Sequence, residues 1–254
     1  QSGQTDINLN TTPEFTLAEE DNRPVYAPVA SIVPTTGAVS VFGSRLHPEF
    51  GVVSQVTSNL ASNTKQLTFG LNGITTKGIL LNASYTLTSS FDQSQGFSQG
   101  TVQGFGGSPG STGGNPNLSE WGRSDNARRH ALLGTVTYPI KPAFELTAIA
   151  RATSGSYYSP LVSGDINGDG RGNNDRAFIF DPANPAVAAD TAVANGMTRL
   201  LSNTSARARD CLLGQLNKIA ARSSCSSPWY PSLDLQANIK PAGFGLDRRL
   251  TISV

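Results

Sequence analysis

The sequence predicts an all-β chain: a segment of an antiparallel transmembrane β-barrel with long outer loops and one short helix in the last long loop. Three observations carry that expectation. Apolar and polar residues alternate with period two in runs at about 64–72, 78–90, 129–138, 143–153, 232–240 and 248–254, the spacing that sends successive side chains to opposite faces of a strand. These runs pair through short turns at 73–77, at Pro139-Ile140-Lys141-Pro142 and at 241–245, whereas the pairs are separated by long outer loops at about 91–128 and 154–231. Ordinary connections run to about 4–6 residues. Several runs also reach the ~9–11 residues that cross a bilayer at a tilt. Short turns on one side and long loops on the other are the pattern of a membrane barrel; a soluble sandwich has no reason to sort its loops so strictly.

Taken in order, residues 1–44 are expected to form a polar loop with room for a first strand, broken by Pro28, Pro34 and Gly37, and 45–254 part of an outer-membrane barrel. EFGVVSQVT at 49–57 is a further strand. In the six main strands Leu67, Phe69 and Leu71 alternate with Gln66, Thr68 and Asn72, and Ile79, Leu81, Ala83, Tyr85 and Leu87 with Asn82, Ser84, Thr86 and Thr88. Phe144, Leu146, Ala148 and Ala150 alternate with Glu145, Thr147 and Arg151; Leu233, Leu235, Ala237 and Ile239 alternate with Asp234, Gln236, Asn238 and Lys240. In a barrel the first set of each pair faces lipid and the second faces the lumen, which makes Glu145, Arg151, Asp234 and Gln236 lumen-facing, with Lys240 and Arg249 on the same polar beat. The Gly/Ser/Gln/Asn-rich stretch within 91–128 reads as a flexible loop. Within 154–231, Leu212, Leu213, Leu216, Ile219 and Ala220 recur at three- and four-residue steps and predict a helix over about 205–221.

Composition agrees and excludes alternatives. A net charge of +1 without a Lys/Arg cluster gives no basis for nucleic-acid binding. Charged residues are 15% and hydrophobic ones 37%, so much of the surface is Gly, Ser, Thr and Asn, which suits a polar lumen. No stretch approaches the ~18 apolar residues of a membrane-spanning helix, an absence that says nothing against strands that alternate. The chain begins at Gln1 and stops on the apolar beat Leu250, Ile252, Val254, and is expected to be a fragment of a longer barrel.

One motif has specific chemistry. Asp165-Ile-Asn167-Gly-Asp169-Gly170-Arg171 places oxygens at positions one, three and five, a turn-making Gly at six and a carbonyl (Arg171) at seven, the order in which a calcium loop supplies its ligands. Position twelve is Arg176 where such a loop carries a bidentate Glu, and Asp175 stands one residue early as the substitute. The alternative is an Asx-rich turn folded through its own side-chain bonds. Cys211 and Cys225, the two cysteines, flank the expected helix and suggest a disulfide in an outer loop; free thiols or a metal pair are the alternative, and no His lies near for zinc. His47 and His130 sit in no Ser/His/Asp or HExxH arrangement. No catalytic constellation is present, and the chain is not expected to be an enzyme.

WGRSDNARRHALLGTVTYPI from Trp121 and ATSGSYYSPLVSGDINGDGRGNNDRAFIFDP after it resemble the C-terminal barrel of Oar-like TonB-dependent outer-membrane receptors, the group with a carboxypeptidase-regulatory-like N-terminal domain. CLLGQLNKIAARSSCSSPWYPSLDLQ looks like the same family's loop and returning strand, so the resemblance covers about 45–254. It implies a large plugged barrel in the bacterial outer membrane with extracellular loops. Its partners would be membrane lipid, the rest of its own barrel and plug, and TonB through a segment that has no match here. The implied function is passage of a bulky solute. A calcium-stiffened structural or adhesive surface protein is the competing expectation.

Overall fold

The computed structural model describes residues 3–96, 101–102, 105–106, 110–125, 127–141, 143–184, 189–240 and 251–253. Among the described residues the strands are β1 (Gly3–Asp6), β2 (Phe15–Leu17), β3 (Arg23–Val25), β4 (Ser54–Thr57), β5 (Ser62–Ile74), β6 (Leu80–Gln95), β7 (Thr101–Val102), β8 (Phe105–Gly106), β9 (Ser119–Arg123), β10 (His130–Lys141), β11 (Phe144–Thr153), β12 (Tyr157–Tyr158), β13 (Cys225–Ser226), β14 (Tyr230–Ile239) and β15 (Ile252–Ser253). Between β12 and β13 the described residues include two α-helices, α1 (Thr191–Asn203) and α2 (Ala206–Leu213). The chain separates into two compact units, one from 1–63, 90–126 and 157–227, the other from 64–89, 127–156 and 228–254.

The second unit is an antiparallel sheet in the order β15-β14-β11-β10-β6-β5. Its turn at 75–79 is closed by Thr75, whose N–H donates to the Ile79 carbonyl and whose carbonyl accepts from Gly78, both at 2.9 Å. Gly78 sits there at φ +76°, a conformation that favours glycine. Register then sorts the side chains. Leu81, Val136, Ala148 and Leu235 form one row across four strands; Ala83, Gly134, Ala150 and Leu233 form the next; Tyr85, Leu132, Ala152 and Pro231 a third. On the opposite face the rows are Ser84–Leu133–Arg151–Ser232 and Asn82–Thr135–Ile149–Asp234. Leu133 and Ile149 interrupt these two polar rows, and Leu80 begins the next, Leu80–Thr137–Thr147–Gln236. The apolar face is open: Phe69 is 59% exposed, Leu233 66% and Leu235 65%. At one end of it His130 stacks between Tyr85 and Trp229, with ring centroids 6.0 and 5.7 Å away, and the Tyr85 hydroxyl and His130 Nδ1 share a hydrogen bond of 2.8 Å. The turn expected at 241–245 and Arg249 lie outside the described residues.

The first unit collects the long connections. β1 pairs with β4, β2 with β3, β12 with β13, and residues 91–95 of β6 with β9. The strand expected over 49–57 therefore shortens to β4, because Pro48 opens a turn and Gly51 follows it at φ +63°. The apolar core is small: Ile179, Leu212 and Ala220 pack with Ala177, Met197, Leu201 and Leu216, and Leu9 packs with Tyr26. Buried arginines supply much of the rest. Arg222 bonds Asp92 through main chain and side chain, Arg45 pairs with Asp6, and Arg23 donates to the Arg176 carbonyl at 2.6 Å. The helix expected to 221 stops at Gly214, after which Asn217 turns at φ +58° and donates its N–H to the Ile179 carbonyl, while the Ile179 N–H donates to the Lys218 carbonyl. Leu216 and Ala220 keep helical spacing but reach the core from this turn, and Ile219 forms a bridge with Phe178.

Candidate functional site

On the polar face of the sheet, Arg151 is paired with Asp234, and Lys240 Nζ donates to Glu145 Oε1 at 2.6 Å. Gln236 donates to Asn238 Oδ1 at 2.8 Å, and Thr137 and Thr147 share a hydroxyl bond of 3.0 Å. Glu145, Arg151, Asp234 and Gln236 thus lie on one face, where the two ion pairs crosslink β11 to the β14 segment and Gln236 bonds within β14. Opposite charges held in pairs make a hydrophilic wall without a net field, suited to contact with water.

In the loop unit, the Asp165–Asp175 segment folds around its own carboxylates. Asp165 accepts from the Asp169 and Gly170 N–H groups at 3.1 and 2.8 Å. Asp169 accepts from the Arg171 N–H at 2.8 Å, and its other oxygen from Asn167 Nδ2 and Asn174 Nδ2 at 3.1 and 2.8 Å. Asp175 Oδ2 accepts from the N–H groups of Ile166 and Asn167 at 2.7 and 3.2 Å. Asn167, Asp169 and Asp175 are fully buried. Gly168 and Gly170 take φ +69° and +81°, and a Cβ at Gly168 would stand 2.7 Å from that of Ala27, so no other residue fits that crossing.

Electrostatics here are unusual for carboxylates. Burial, with the charge of Asp169 added, pushes Asp165 up to about 6 and Asp175 to about 7. Burial also raises Asp169, against the amide bonds from Asn174 and Asn167 that hold it down. The Tyr26 phenol is lifted to about 12 by burial and by the charges of Asp169 and Asp175. The donors gathered are all oxygens, the ligand type of calcium or magnesium and not of zinc.

Other segments meet this loop. The Tyr26 N–H donates to the Asn167 carbonyl at 2.8 Å, Arg45 to the Asp169 carbonyl at 2.6 Å, and Asn167 Nδ2 to the Gly114 carbonyl at 3.0 Å. None of these partners is visible in a linear motif, because each lies more than fifty residues away in sequence. Asn174 is the residue that motif reasoning passed over; its place next to Asp175 has no counterpart in the calcium-loop template. Cys211, in α2, is bonded to Cys225, in β13, with Cα atoms 5.6 Å apart.

Neither a curated protein nor a solved structure matches the chain. The family model described as "outer membrane beta barrel domain" matches residues 2–238. With strands of this length, one continuous open apolar face and no helix able to cross a membrane among the described residues, the match is physically coherent: the chain belongs to the outer-membrane β-barrel domain family.

Proposed function

We propose that this chain is part of a TonB-dependent receptor whose barrel carries a bulky solute across the outer membrane. In this reading the rows through Leu81, Ala83, Leu233 and Leu235 face lipid, and Glu145, Arg151, Asp234 and Gln236 line the lumen. The long connections stand outside the cell, where a solute is first met. The observation that supports it most is the division of one sheet into an apolar face and a face crosslinked by Arg151–Asp234 and Lys240–Glu145; a barrel that passes polar cargo needs that polarity inside. The resemblance of 121–182 to Oar-like receptors supplies the energised, plugged form. Uptake by cells with and without the protein tests it, in energised and uncoupled states. Loss of uptake on uncoupling supports the receptor; diffusion of small solutes regardless of energy would sink it.

A second reading, a structural or adhesive surface protein, draws on the loop unit, which is locked by a disulfide and buried ion pairs. It predicts that deletion impairs surface attachment and leaves uptake untouched.

A further inference from the structure

We propose that the 165–175 loop binds calcium through Asp165, Asn167, Asp169, Asn174, Asp175 and the Arg171 carbonyl, and that the ion fastens the loop unit as a whole. Two buried acceptors have no donor: Asp175 Oδ1 and Asn174 Oδ1, in residues 0% and 5% exposed. Both belong to groups already turned into the loop, since Asp175 Oδ2 holds the Ile166 N–H and Asn174 Nδ2 holds Asp169. An acceptor buried without a donor is costly, and a cation satisfies its lone pair without needing a proton.

The surrounding arginines give neither acceptor a hydrogen bond, although Arg23 Nη1, itself without one, forms a long buried ion pair with Asp175 Oδ1. Arg45 is spent on Asp6 and the Asp169 carbonyl, Arg176 on Glu120, and Arg23 on Glu20 and the Arg176 carbonyl. Arg23 Nη1 stays 3.7 Å from Asp175 Oδ1. Arg171 offsets part of the charge of Asp169. Negative charge in the cradle therefore remains in excess.

Among the described residues no three His, Cys, Asp or Glu side chains converge on one point, so carboxylates alone do not make the site and amide oxygens must complete it. The amides of Asn167 and Asn174 both aim Nδ2 at the same Asp169 oxygen. A half-turn of the Asn174 amide exchanges its N and O, bringing Oδ1 beside Asp169, where the two oxygens need a cation between them whenever Asp169 is ionised. Six to eight oxygens in an irregular shell suit calcium; magnesium demands octahedral geometry and retains its waters.

The ion's reach follows from what the loop holds. Tyr26 and Arg45 bond its carbonyls, Gly114 accepts from Asn167, and Thr112 donates to the Asn174 carbonyl at 2.8 Å while accepting from the Arg176 N–H at 2.9 Å. Ordering 165–175 orders residues 23–27, 43–45 and 112–114 with it.

The test uses the full chain in detergent. Terbium should bind with emission sensitised by the Tyr26 phenol and be displaced by calcium, half-saturating at ~10⁻⁴–10⁻³ M because no bidentate Glu closes the loop. Magnesium should compete poorly. Asp175→Asn and Asn174→Ala should each weaken calcium about tenfold or more. Hydrogen exchange should slow with calcium at 23–27, 43–45 and 112–114 as well as at 165–175. Calcium binding unchanged in both variants, or exchange equal with calcium and with chelator, overturns the site. Protection confined to 165–175 overturns the fastening. The exchange comparison needs no substitution, so a variant that fails to fold leaves the result decidable.

Discussion

Arg151 reaches diagonally across the β11–β14 ladder to Asp234, whose own register partner is Ile149. The pair crosses the polar face at the level where Ala148–Leu235 and Ala150–Leu233 cross the apolar one. Both side chains are more than half exposed in this chain, so Arg151→Ala should cost no more than ~1 kcal/mol of unfolding free energy. A double-mutant cycle with Asp234→Ala measures the coupling; a value of several kcal/mol would mean the pair is desolvated and does not face water.

Leu235 and Gln236 are adjacent in β14 and point to opposite faces. Arg at Leu235 should cost about 2–4 kcal/mol if that row lies near the bilayer midplane, and far less at Gln236. Spin labels at the two positions should report lipid and water respectively. Water at both would remove the lipid-facing assignment.

The Tyr85–His130–Trp229 stack ends the apolar face with three amphipathic rings, the side chains that settle at a membrane–water interface. In a Trp121→Phe background, Trp229 fluorescence should be quenched more by lipids brominated near the headgroup than by those brominated deep in the chain. Stronger deep quenching would place this end inside the hydrocarbon.

Sequence and structure part company where period fails. The long strands are legible because burial on alternate faces forces alternate residues, and β5, β6, β10, β11 and β14 all keep that beat. β1 carries no alternation in Gly3-Gln4-Thr5-Asp6 and is defined only by pairing with β4. α1 is legible although it is not among the expected elements: Val193, Met197 and Leu201 stand at four-residue steps, Met197 and Leu201 pack on the small core although no residue of the helix is fully buried, and Asp190 marks its start by accepting from the Ala192 and Val193 N–H groups. The Asp165–Asp175 motif is local and visible, Asn174 within it included, while Arg23, Arg45 and Arg222 reach partners distant in sequence that no linear spacing encodes.

Cys211–Cys225 joins α2 to the strand that pairs with β12. A loop of this size is worth ~3 kcal/mol in the chain-entropy account, a mechanism still disputed. Thiol labelling of the denatured, unreduced protein should find no free cysteine. After reduction, protease should cut within 203–225 first, since an eight-residue helix does not persist alone in water.

The carboxylates of the loop set a pH dependence whose direction differs with and without calcium. Burial raises Asp165 and Asp175 to about 6 and about 7, above the ordinary carboxylate value of 3.8, so between pH ~4 and ~7 the folded loop holds more protons than the unfolded chain. Stability of the metal-free unit is therefore greatest below pH ~4 and is lost as pH rises through 6 and 7, as buried carboxylates ionise beside Asp169. If the loop takes calcium as proposed, the ion needs the ionised carboxylates, so saturating calcium should restore at pH 8 the protection that protons give at pH 5, and calcium affinity should fall as pH drops through 7 to 6. Limited proteolysis around Gly170–Arg176 at pH 5 and pH 8, in chelator and in excess calcium, measures all four states. Cleavage in chelator that is slower at pH 8 than at pH 5 would show that the carboxylates are stabilised as anions by the protein itself, leaving the loop as an Asx-rich turn with no need of an ion.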